Sequence, residues 1–128
     1  MLQRYADPAP VDRKPLDRAY AHAMASVARQ YPDDDDVATL YAEALMDVSP
    51  WAYWTSDGEP TEFTPQILAT LERVLQRNPQ HIGAMHYYIH ATEASPTPQR
   101  AEPYADRLAA LAPGSGHLVH MPAHTYIR

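Results

Sequence analysis

Two prolines, Pro79 and Pro113, stop apolar helical stretches 34 residues apart, and Pro32 precedes Pro79 by the same interval plus 13 residues. Proline cannot continue a helix, because its ring removes a donor and clashes with the preceding turn. Each of these positions therefore closes a segment. Leu16 to Tyr31 reads as a helix with Leu16, Ala19, Tyr20, Ala23, Val27 and Tyr31 on one stripe. Asp34 to Val48 reads as a second, its acidic first turn favoured by the helix dipole. A third is expected from Thr64, as cap, with Pro65 at its first position, to Arg77. His81–Ala94, Pro98–Leu111 and Gly116–Arg128 complete the series. The loop Ser49–Phe63, which carries Pro50, Gly58 and Pro60, holds the excess residues. The expectation is an all-α chain of antiparallel helix hairpins over residues 16–128, an aromatic loop insertion at 49–63, and an irregular segment over residues 1–15. Arg128 falls inside a helical pattern with no stop signal after it, so part of a longer protein is expected.

Composition narrows the function classes. Ten basic and sixteen acidic residues leave a net charge of −6, which argues against nucleic acid or an anionic membrane as partner. There is no cysteine, so disulfides, thiolate metal sites and cysteine nucleophiles are excluded. No apolar run has the length of a membrane span, and residues 1–10 lack the apolar stretch of a signal peptide. A cytoplasmic, soluble protein is the default expectation.

A 34-residue helix-turn-helix unit closed by proline resembles the tetratricopeptide repeat. The resemblance runs from Leu16 to Arg128 and rests on period, proline and packing positions; Met85, Tyr88 and Thr92 stand where that repeat carries tryptophan, leucine and tyrosine. It implies a right-handed solenoid in which the helices 34–48, 81–94 and 116–128 line a concave groove. The groove residues it implies are Asp36, Thr39, Glu43 and Met46, then Gly83, His86, His90 and Glu93, then His117, His120, His124 and Ile127. The blocks His86-Tyr-Tyr-Ile-His90-Ala-Thr-Glu93 and Gly116-His-Leu-Val-His-Met-Pro-Ala-His124, with Ser49-Pro-Trp-Ala-Tyr-Trp54, resemble a group of longer, poorly characterised bacterial proteins of this repeat class. That likeness implies a bacterial origin and carries no activity with it.

The histidines form a pattern that stands without the resemblance. His86, His90 and Glu93 are spaced i, i+4, i+7, and at about 100° per residue they span an arc of about 60°. His117, His120 and His124 are spaced i, i+3, i+7 and span a similar arc. The repeat sets His86 beside His120 and His90 beside His124, across the roughly 8–10 Å that separates packed helices. Neutral imidazole offers one lone pair and suits zinc, iron or copper. The expected ligands of a divalent transition metal are His86, His90, Glu93, His120 and His124, with Glu93 also a candidate general base. Glu43 is a further candidate, as ligand or as acceptor for an imidazole N–H. So is His117, unless the last helix begins at Pro122 and leaves residues 116–121 as a loop. The zincin His-Glu-x-x-His pattern is absent, and His90-Ala-Thr-Glu93 reverses the Glu-x-x-His of di-iron bundles.

The sequence leaves other functions open. The groove of such a repeat commonly holds a peptide. Clamps for acidic carboxyl termini use basic groove residues, and Arg128 is the single basic one here, so a neutral or basic peptide or protein partner fits better. Paired histidines also suit haem or metal storage. The loop aromatics Trp51, Tyr53, Trp54 and Phe63 read either as a lid over the groove or as a satellite cluster packed beneath the loop. Asp33–Asp36 reads as a solvated helix start, Tyr88 as core, and His22 and His81 as surface residues without partners.

Overall fold

Side-chain caps begin two of the helices, and a proline in the first turn begins four of the others. In the computed structural model, which describes residues 4–5 and 12–127, the chain is all-α, apart from one isolated bridge between Trp54 and Pro60. The helices are α1 (Lys14–Gln30), α2 (Asp35–Met46), α3 (Thr64–Arg77), α4 (Ile82–Thr92), α5 (Glu102–Leu111), α6 (Gly116–His120) and α7 (Pro122–Tyr126), with a 3-10 turn over Pro98–Ala101 leading into α5. Most of the irregular leader expected over residues 1–15, and Arg128, lie outside the described residues.

Asp34 caps α2, its Oδ1 accepting from the Val37 amide at 2.9 Å. The rest of the acidic run is paired: Arg77 bridges to Asp35 at 2.6 Å, and Asp36 faces His81. Thr64 is not the cap of α3. Phe63 occupies that position, and the Thr64 hydroxyl donates to the Tyr53 carbonyl at 2.6 Å. That carbonyl belongs to a loop folded against the core, where an unpaired acceptor is costly. His81, expected to be partnerless, is the cap of α4. Its Nδ1 accepts from the Ala84 amide at 3.1 Å, which puts the ring hydrogen on Nε2, 3.1 Å from Asp36 Oδ1.

Each helix packs on the next in sequence, and α4 also meets α2 on one side and α7 on the other. Where α4 crosses α2, Gly83 permits the approach: a Cβ there would lie 3.3 Å from Thr39 Cγ2. The core runs through the stack as Ile67, Leu71 and Val74 of α3, Met85 and Ile89 of α4, and Leu108 of α5, ending in Met121. Helix α4 is buried on most of its surface, so an apolar strip alone does not describe it. Ala84, Met85, Tyr88, Ile89, His90, Ala91 and Thr92 are all buried. The expected final helix is two short ones, because Pro122 has no N–H to continue α6 and Met121 plugs into the core at the break.

Leu71 is fully buried in the shared face of α3, so Leu71→Ala should cost about 2–5 kcal/mol through lost transfer energy and a residual cavity. Equilibrium urea unfolding, followed by the helical circular dichroism signal, should show the lowered midpoint.

Candidate metal centre

Five histidines and one glutamate converge where α4 faces α6 and α7. His86 and His90 lie one turn apart on α4, and Glu93 follows at its carboxyl end. Their rings stack edge-on, 4.9 Å between centroids. From α6, His117 brings its Nε2 to 2.9 Å from His86 Nε2. From α7, His124 places its ring 5.1 Å from that of His90. His120 reaches the cluster through His124, with 3.1 Å between the two Nε2 atoms.

Among the described residues, two groups of three have ligand atoms within 4.8 Å of one another: His86, His90 and His117, and His90, Glu93 and His124. His90 belongs to both. The expected pairing of His90 with His124 is present, whereas His86 meets His117 in place of His120. The break at Pro122 is the reason. It interrupts the helix between His120 and His124, so a single 34-residue offset does not carry all three across. Glu43 stands apart from both groups, accepting from Arg4 at 3.1 Å and from the Tyr20 hydroxyl at 3.4 Å.

The hydrogen bonds assign chemistry to individual nitrogens. Glu93 Oε2 lies 2.5 Å from His124 Nδ1. A carboxylate there accepts the Nδ1 hydrogen and leaves the Nε2 lone pair of His124 facing His120 Nε2, 3.1 Å away. This carboxylate–histidine arrangement is the one that orients imidazole ligands on metals. His90 is the least hydrated member, at 8% exposure, and its Nδ1 has no hydrogen-bond partner among the described residues. The nearest carboxylate oxygen, Glu93 Oε1, is 3.8 Å away. A buried ring nitrogen without a partner is unfavourable by itself, and a bound cation is one way to satisfy it.

Burial, reinforced by the neighbouring imidazoles, holds both His86 and His90 down at about 4. Both rings are therefore neutral at pH 7, the state in which imidazole donates to a metal.

The loop's aromatics divide between the core and the histidine cluster. Tyr53 is buried, and the Trp54 indole donates to the Ala91 carbonyl of α4 at 2.7 Å, so these two are packed cluster. Trp51 instead sets its indole edge-on to His90, 5.1 Å between centroids. Its backbone φ of 63° is unusual for a residue with a Cβ, at a cost on the order of 1 kcal/mol. The sequence flagged the loop but not which aromatic reaches the histidines; Pro50-Trp51 as the centre of a turn was the available signal. Compared with known proteins, the chain matches no protein-family model, no curated protein and no solved structure.

The titration has a definite sign. In the unfolded chain His86 and His90 take protons near pH 6.5, and in the folded chain only near pH 4. The unfolded form therefore binds more protons across that window, and the stability of metal-free protein should fall as pH drops from about 6.5 to about 4, then level off for these two groups. Urea midpoints at half-unit pH steps measure this, and a His86→Gln variant should show a shallower decline.

Proposed function

We propose that this chain is a tetratricopeptide-like, right-handed solenoid whose histidine-lined concave face binds a divalent transition metal. The solenoid reading is supported by the alternation of contacts: α2, α4 and α7 pack side by side as successive first helices, with α3 and α5 alternating between them. The observation that carries the metal reading is His90: buried, neutral, without a partner on Nδ1 among the described residues, and common to both ligand groups.

In this reading His86, His90 and His117 supply imidazole donors, and His124 supplies a further one held in orientation by Glu93. His120 extends the set through His124. The all-nitrogen and carboxylate donors suit zinc, iron or copper and disfavour calcium or magnesium. A metal so placed supplies Lewis acidity, or redox chemistry if it is iron or copper. Glu93 is the one carboxylate in either ligand group and can hold a proton beside the metal, the role of a general base. A hydrolase or an oxidoreductase is the class of enzyme consistent with this set.

A second reading has its own observation. Arg4 lies between Glu43 and Asp47 with its guanidinium over the Tyr20 ring at 4.9 Å, so the acidic end of this face already holds a cation. That favours a basic peptide as the partner of a metal-independent scaffold, and peptide binding that survives chelation would distinguish it.

Elemental analysis of untagged protein reconstituted with zinc, iron or copper should give about one or more ions per chain. His117→Ala is the informative variant, since His117 is exposed and its loss leaves the core intact. It should lower metal affinity, and Glu93→Ala should lower it by about 10- to 100-fold through loss of the orienting acceptor for His124. Wild-type content far below one ion per chain after reconstitution would overturn the metal reading.

A further inference from the structure

Trp51 combines three features that folding alone does not favour. It is a large aromatic at 68% exposure. It occupies the third position of a turn closed by the Ala52 amide on the Ser49 carbonyl at 3.1 Å, with Pro50 second. Its φ of 63° is the conformation that this kind of turn reserves for glycine or asparagine. And its ring stands edge-on to His90, 5.1 Å away. Glycine at this position would relax the backbone, and any polar residue would suit the solvent. What tryptophan adds is a flat apolar surface held at the most buried histidine of the cluster.

The other loop aromatics are not available for such a role. Trp54 is tied to the Ala91 carbonyl, and Tyr53 is buried in the core. Phe63 is partly buried, against Arg18. Trp51 alone among the loop's aromatics touches the histidine cluster while leaving most of its own surface uncovered.

We propose that Trp51 is the ligand-facing wall of the histidine centre, and that the ligand reaching the metal carries a flat aromatic or unsaturated group beside its metal-binding donor atoms. This rests on the metal reading above. Because the indole contacts His90, a donor atom on a metal bound by His90 brings its substituent within reach of the indole. Stacked or edge-to-face aromatic pairs add attraction beyond the area they cover, whereas an alkyl group or a strongly hydrated one gains only the smaller apolar contact. The wall therefore selects by shape and does not itself hold the metal.

The test uses two metal-directed probes that differ by one ring, acetohydroxamate and benzohydroxamate, titrated into the cobalt-loaded 128-residue chain and followed by the cobalt visible spectrum. Cobalt content is measured for each preparation, so that affinity is read per loaded site. Wild type should favour benzohydroxamate by between about 2-fold and about 12-fold, the range expected of one aromatic pair. Trp51→Gly and Trp51→Asn, both compatible with the turn, should lose that preference, and Trp51→Phe should keep most of it. An equal preference in wild type and in both turn-compatible variants, or no preference in wild type, overturns the proposal while leaving the metal reading in place. Failure of wild type to take up cobalt or any other transition metal overturns both, and is seen before any probe is added.

Discussion

The central constraint on this molecule is the confinement of α4. It is gripped by α3 and α5, its neighbours in sequence, and flanked by α2 and α7. A helix in that position has little solvent-facing surface, and its residues are apolar or small on nearly every side. His86, His90 and Glu93 occupy the strip that faces α6 and α7. Imidazoles on such a strip are desolvated by the same packing that stabilises the stack. The burial that depresses the titration of His86 and His90 and the burial of Met85 and Ile89 are thus one event. Anything that loosens α4 rehydrates the histidines, and anything that satisfies the histidines tightens α4.

The surroundings of α4 show how that position is held. Its amino end is closed by His81, whose two ring nitrogens join the Ala84 amide to Asp36 on α2. Its middle is fastened from the far side by the Tyr88 hydroxyl, which donates to Glu72 of α3 at 2.9 Å. Near its carboxyl end the Ala91 carbonyl accepts from the Trp54 indole, pinning the long loop. These bonds reach three different elements, so the backbone carrying His86 and His90 is fixed independently of the histidines. A site organised in this way pays little reorganisation on binding, which is the condition for tight and selective coordination.

Much of this was legible from the residues. The proline punctuation located the helices up to α5 within a few positions, because proline's backbone constraint acts locally and needs no tertiary context; the helix expected over residues 116–128 is instead divided at Pro122. The histidine face was legible for the same reason, since helical spacing alone puts His86, His90 and Glu93 on one arc. What escaped the sequence depends on contacts distant in the chain. The partner that fixes the tautomer of the capping His81 is Asp36, 45 residues away. The hydroxyl of Thr64 went to the Tyr53 carbonyl because the loop folds back on it. Which loop aromatic meets His90 depends on the single unusual φ at Trp51, and periodicity does not describe that.

The departure of the histidine pairs from the repeat register has a physical explanation with consequences for the site. A continuous helix over residues 116–128 would carry His117, His120 and His124 past α4 as a rigid ladder, and a 34-residue offset would pair His86 with His120. Pro122 breaks that ladder, and the fully buried Met121 anchors the two halves at the break. Each half then orients its own histidines. α6 turns His117 onto His86, 31 residues away in sequence, while α7 brings His124 to Glu93 across the same interval. The two contacts therefore share one offset with each other, three residues short of the repeat. His90 lies between them and is the only member common to both ligand groups. The break at Pro122 thus leaves two triads joined at one buried ring, His90, in place of the two parallel pairs that a continuous last helix would present.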